Sequence, residues 1–134
     1  MGEPLNNYQS VVDAVRAMID PQLFSLSPSH ITVSTVGVTN RIRSLAVDLP
    51  EVNLALSLHA PNQEIRLAIV PTGKAYPVQK LIRACRYWQE QTGRRIFFEY
   101  VVLGGGEFSW NFAAMAAACP LAATCPLAAI SPTD

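Results

Sequence analysis

A chain of 134 residues, 50% hydrophobic and 15% charged, is one globular domain at most and too apolar to be disordered throughout. Ten Lys and Arg balance ten Asp and Glu, so net charge points to neither a nucleic-acid nor an acidic partner for the molecule as a whole. Cys85, Cys119 and Cys125 make no even disulfide framework and match no zinc spacing; with no early apolar run or basic stretch, a cytosolic protein with reduced thiols is expected, or an organellar one if a targeting segment precedes Met1.

In chain order, Tyr8, Val11, Val12, Val15, Met18 and Ile19 recur at helical spacing, with Asn6 or Asn7 available as N-cap and Pro21 beyond the end. Residues 31–36, β-branched almost throughout and stopped by Gly37, read as a strand. A short helix is expected from about Asn40 to Val47, a strand from Asn53 to Leu58, and a brief helix from near Asn62 to before Pro71. The longest helix runs from about Val78 to Gln91, led in by Pro77 and stopped by Gly93, with Val78, Leu81, Ile82, Cys85 and either Trp88 or Gln89 on its apolar stripe. A third strand is expected from Ile96 to Leu103, ending in Gly104, Gly105 and Gly106. Helices separate strands that lie too far apart for hairpins, so the fold class is α/β with a parallel sheet.

After Gly106 the composition shifts. From Phe108 to Thr133 there is no charge, and Cys-Pro-Leu-Ala-Ala occurs at 119–123 and again at 125–129, so residues 106–134 read as a low-complexity tail apart from a domain over 1–105. Its apolar run before Pro120 is shorter than the roughly 20 residues a bilayer requires, and no membrane role is expected.

Strands present alternate residues to opposite faces. Asn53, Ala55, Ser57 and His59 therefore oppose Leu54, Leu56 and Leu58; Thr32 and Ser34 oppose Ile31 and Val33; and Phe97, Glu99 and Val101 oppose Ile96, Phe98 and Tyr100. A carboxylate within the third strand must meet a cation, a donor or water, because burying it unpaired costs several kcal/mol. Polar positions recurring on three parallel strands point to the lining of a barrel-like pocket. Ligands in such folds sit at the carboxyl ends of strands, where Ser57, His59 and the glycines fall.

Other motifs fail. Pro71-Thr72-Gly73-Lys74 lacks the first glycine and the final hydroxyl of a phosphate loop, with Ala68 and Ala75 in those places. His30 and His59 have no neighbouring ligands of metal-site spacing, and no serine–histidine–acid set is evident. Between Lys74 and Arg95 six cationic residues stand against Glu90 alone, either a solvated outer helix face or an RNA-facing strip.

Four stretches together resemble the RlmN/Cfr-type family of radical-SAM RNA (adenine) methyltransferases: Met1-Gly2-Glu3-Pro4-Leu5, residues 31–38, Leu54 to Asn62 with its Ser-Leu-His-Ala-Pro-Asn run, and Gly93 to Val101. The resemblance covers about residues 1–105 and implies a partial radical-SAM (β/α) barrel of parallel strands with outer helices. It implies S-adenosylmethionine as cofactor, methylation of adenosine in ribosomal RNA, and transfer RNA as a further partner in some members. By correspondence, Gly2 and Glu3 match the pair that contacts the methionine part of the cofactor, Ser34 a further contact, and Ser57, Leu58 and His59 a contact run in which Leu58 would act through its backbone.

The sequence also departs from the family pattern. Members bind a four-iron, four-sulfur cluster through Cys-x-x-x-Cys-x-x-Cys upstream of the Gly-Glu pair, and no three cysteines here have that spacing. The family's downstream cofactor-contacting asparagine and methyl-carrying cysteine fall beyond the point, near Gly106, where the resemblance stops. No catalytic or metal-ligating residue is therefore assigned, and Cys85 is read as a core thiol. The expectation is a segment truncated at both ends and inactive by itself. The alternatives are a non-catalytic RNA-binding or interaction module built on half a barrel, and an unrelated barrel enzyme with another small-molecule substrate.

Overall fold

The computed structural model describes residues 2–101. The glycine run, the uncharged tail with Cys119 and Cys125, and the expected end of the third strand at Val102 and Leu103 lie outside the described residues.

The chain enters through a short turn of 3-10 helix, Pro4–Asn7, capped by the Glu3 carboxylate, which accepts from the Leu5 N–H at 2.9 Å. It continues directly into α1 (Tyr8–Ile19). Asn7 occupies the N-cap position but makes no capping bond; its side chain accepts from Ser10 instead. The preceding turn hands its geometry to the helix, so a side-chain cap is not required. Val12 and Val15 bury their side chains, and the Tyr8 hydroxyl donates to Asp48 at 2.6 Å, tying α1 to the second helix.

Next come β1 (Thr32–Thr35), α2 (Thr39–Asp48), β2 (Asn53–Ser57), α3 (Gln63–Ile69), α4 (Val78–Thr92) and β3 (Ile96–Glu99). All three strands are shorter than expected. The sheet order is β1-β2-β3 and both pairings are parallel, placing Ser34 beside Ala55 and Ala55 beside Phe97, and Ser57 beside Glu99. Each parallel step is made by helix, as parallel strands demand.

One face of the sheet is packed and the other is open. Val33, Leu54, Leu56 and Ile96 are buried in one core with Ile42 and Leu45 of α2 and Leu81, Ile82, Cys85 and Trp88 of α4. Trp88, fully buried, completes the α4 stripe, while Gln89 is only partly covered. Gly93 ends α4 in the left-handed conformation, at φ 66°, its N–H donating to Gln89 at 2.8 Å. On the opposite face Thr32, Ser34, Phe97 and Glu99 are exposed. Phe97 leaves 56% of its surface uncovered, unusual for a parallel sheet, which is ordinarily buried on both faces. Among the described residues no helix is long and apolar enough to cross a membrane.

Candidate functional site

The open face forms the wall of a cleft of about 640 Å³, within the range of about 300–1,000 Å³ usual for small-molecule sites. Its lining comes from Gly2 and Glu3 at the entry, Val11, Ala14 and Met18 on α1, Thr32 to Val36 along β1, Ser57 at the end of β2 and Glu99 at the end of β3. The alternation that carries the core leucines to one side carries the hydroxyls to this one.

Glu99 finds the donors its position requires. Ser57 Oγ donates to Glu99 Oε2 at 2.6 Å, and Ser34 Oγ lies 3.5 Å from each carboxylate oxygen. The carboxylate is exposed to the cleft rather than buried. A hydroxyl bonded to an ionised acceptor is shorter and stronger than a neutral pair, and 2.6 Å is of that kind.

Glu3 plays a different part. It accepts from Thr35 Oγ1 at 2.7 Å, from the Val36 N–H at 2.8 Å and from the Leu5 N–H at 2.9 Å. Its carboxylate therefore pins the entering chain to the end of β1. Thr35, only 2% exposed, passes the connection on by accepting from the Gly37 N–H at 3.0 Å. Gly2 is exposed, and a Cβ there would meet no described atom within 4 Å.

Leu58 and His59, the remaining correspondences, are not among the described lining residues of the cleft. Regular strand ends at Ser57. His59 turns into the left-handed region at φ 61°, and its N–H donates to the Glu99 carbonyl at 2.9 Å. The turn breaks the alternation that, extended past the strand end, would have kept His59 on the face of Ser57. His59 Nδ1 is buried with no hydrogen-bond partner among the described residues. Burial holds the imidazole below its ordinary pKa; the Glu99 charge opposes that shift and Arg66 reinforces it. The Leu58 side chain is buried, and its carbonyl already accepts from Arg66 Nε at 3.2 Å.

Arg66 carries a structural role that sequence reasoning missed. It is 0% exposed, and besides Leu58 it donates through Nη1 to the Tyr76 carbonyl at 3.1 Å and through Nη2 to the Val36 carbonyl at 2.7 Å. One guanidinium thus fastens the segments leaving β1 and β2 to the segment entering α4. The fork geometry of Arg suits this, since its donors diverge in one plane. Burial lowers its pKa. Among the described residues its charge is met by carbonyl dipoles and not by a carboxylate, a partnership that side-chain identity does not signal.

Iron–sulfur ligands do not assemble among these residues. Cys85 is buried in α4, and among the described residues no three His, Cys, Asp or Glu side chains come together to hold a metal. The groups present do not fit the cluster.

No family model matches the chain. A protein of Moorella thermoacetica named "Probable dual-specificity RNA methyltransferase RlmN" is 46% identical over 105 residues, covering 78% of this chain and 30% of that one. Its namesake in Caldanaerobacter subterraneus subsp. tengcongensis is 43% identical over 104 residues, with the same shares. The crystal structure of a radical SAM methyltransferase from Sphaerobacter thermophilus superimposes with a TM-score of 0.79 at 38% identity, covering 88% of this chain and 35% of that one. The chain belongs to the RlmN-type family of radical-SAM methyltransferases. It spans about 30% of the length of the curated relatives it matches. Its three parallel strands and outer helices are accordingly a partial radical-SAM α/β barrel, the fold class expected from the sequence.

Proposed function

We propose that the cleft is one wall of the S-adenosylmethionine site of a radical-SAM RNA methyltransferase acting on adenosine in ribosomal RNA and, as in some members of the family, in transfer RNA. The observation that carries this is the meeting of Ser34 and Ser57, from neighbouring strands, at the Glu99 carboxylate on the sheet's open face. The two serines are cofactor contacts by family correspondence, and two residues distant in sequence share one cavity with the Gly2-Glu3 pair. When bound, S-adenosylmethionine supplies the methyl group.

The chain's own residues would then divide the work. Ser34 and Ser57, each with hydroxyl lone pairs beyond the bond to Glu99, orient the polar part of the ligand. Val11, Ala14 and Met18 cover its apolar surface and exclude water. Glu3 holds the entry segment, and Arg66 fixes the ends of β1 and β2 that carry the contacts. Leu58 and His59, as backbone or ring contacts, require a ligand that reaches past Ser57 to the strand end. The cluster's ligands are not among the described residues, and no step through it is derived. We place the parent enzyme in the cytosol, where a thiol such as Cys85 stays reduced.

Amide chemical-shift titration of the chain with S-adenosylmethionine tests the site. Saturable shifts are expected at residues 2–3, 32–36 and 57–59, weakened at least about fivefold by the Ser34→Ala, Ser57→Ala double substitution. Shifts confined to other surfaces would refute it.

A second reading, an RNA-docking module, is favoured by α4, where Lys80, Arg83 and Arg86 are all exposed and Arg83 and Arg86 border a groove with Asn62 and Gln79. Steep salt-dependent binding of RNA by this chain alone would support it.

A further inference from the structure

We propose that Glu99 makes the cleft selective for a cationic centre on its ligand, a role that rests on the cofactor-site reading above and that no correspondence assigns to this residue.

Charge in the cleft is one-sided. Among the described residues, the titratable side chains lining it are Glu3 and Glu99, with no Lys, Arg or His. Glu3 spends its carboxylate on three donors of the chain itself. Among the described residues the Glu99 carboxylate is met by hydroxyls, Ser57 at 2.6 Å and Ser34 at 3.5 Å. Hydroxyls orient a carboxylate without neutralising it. An ionised carboxylate offers about four acceptor sites, so two serines leave it capacity for a ligand group.

The serines also limit what that group can be. The Ser57 proton is directed to Glu99, so toward a ligand that hydroxyl presents lone pairs; with Ser34 3.5 Å from the carboxylate, the set is chiefly an acceptor surface bearing one net negative charge. Its complement is a donor or a positive charge. Apolar Val11, Ala14 and Met18 also line the cleft and lower the local dielectric, which strengthens the attraction between the carboxylate and a cation placed there. A sulfonium or ammonium centre answers both conditions, whereas a neutral hydroxyl pair would leave the carboxylate uncompensated. Register makes the placement rigid: Ser57 and Glu99 are paired neighbours on β2 and β3, so the acceptor surface is built on sheet rather than on a loop.

Glu99→Gln keeps the shape, removes the charge, and is tolerated because the side chain is exposed. Dissociation constants for S-adenosylmethionine, which carries both cationic centres, and for adenosine, which carries none, are measured by chemical-shift titration on the wild-type chain and this variant. Expected is a loss of about fivefold for S-adenosylmethionine with adenosine changed less than about twofold, and a salt dependence of S-adenosylmethionine binding that the variant lacks. Equal losses for both ligands would assign Glu99 to the ribose and overturn the inference while leaving the site reading intact. Unchanged S-adenosylmethionine affinity in the variant would do the same. Absence of saturable shifts with either ligand on the wild-type chain would defeat the site reading together with this one.

Discussion

Ser57 and Glu99 stand opposite each other in the parallel pairing of β2 and β3, and the serine hydroxyl donates to the carboxylate at 2.6 Å across the open face of the sheet. Forty-two positions separate them, yet together with Ser34 they form the polar centre of the cleft. The elements that hold this centre in place, and the chemistry it lacks, give the following expectations.

Glu3 is expected to be a fastening for β1. Glu3→Ala leaves the nearly buried Thr35 hydroxyl and the Val36 N–H without their acceptor, and should cost about 2 kcal/mol in urea unfolding. Glu3→Gln, retaining one oxygen, should lose less. Equal stability of all three proteins would show that the entering segment is not anchored this way.

Arg66 should be the more sensitive of the two. Arg66→Met removes the donors to Val36, Leu58 and Tyr76 from a fully buried position, at a cost of about 3 kcal/mol. Arg66→Lys should not restore it, because a single ammonium cannot span three diverging carbonyls. Thermal or urea melting of both variants decides the matter, and a lysine variant as stable as wild type would count against the clamp.

The pH dependence of stability should carry a contribution from His59. Burial depresses its folded-state pKa below the ordinary 6.5, so between the two values the unfolded chain binds more protons than the folded one. Its contribution is then fully present above the unfolded pKa and is lost as pH falls below it. His59→Asn, which tolerates the left-handed backbone, should flatten the fall in stability between about pH 7 and pH 5. An unaltered slope would mean that the imidazole titrates as it does in the unfolded chain.

Gly37 and Gly93 both have positive φ, at 110° and 66°, but differ in surroundings. A Cβ at Gly37 would run into the Leu81 side chain, whereas one at Gly93 meets nothing within 4 Å. Gly93→Ala should therefore cost about 1 kcal/mol from conformation alone, and Gly37→Ala about 3 kcal/mol from conformation and overpacking together. Matching losses in unfolding midpoint would show that packing against Leu81 is looser than described.

Anaerobic reconstitution of this chain with iron and sulfide should give no four-iron absorption band and no stoichiometric iron. Cys85 is buried, and the three cysteines of the sequence lack the spacing that such a cluster needs. A stoichiometric four-iron spectrum would overturn the ligand assignment.

Local periodicity by itself determined the helices, the three strands and which strand residues share a face. Phe97, Glu99 and Val101 are exposed while Ile96 is buried, and Thr32 and Ser34 alternate with Val33, because a pleated strand has only two sides. The apolar stripe of α4 and its stop at Gly93 are equally local. Only the tertiary structure decided that Glu3 reaches Thr35 and Val36, that Arg66 joins three segments through carbonyls, and that His59 turns away from the strand pattern. Backbone carbonyls are present at every residue and leave no trace in side-chain identity. A hydrogen bond between positions 30 or 40 apart exists only once the sheet has brought its strands side by side.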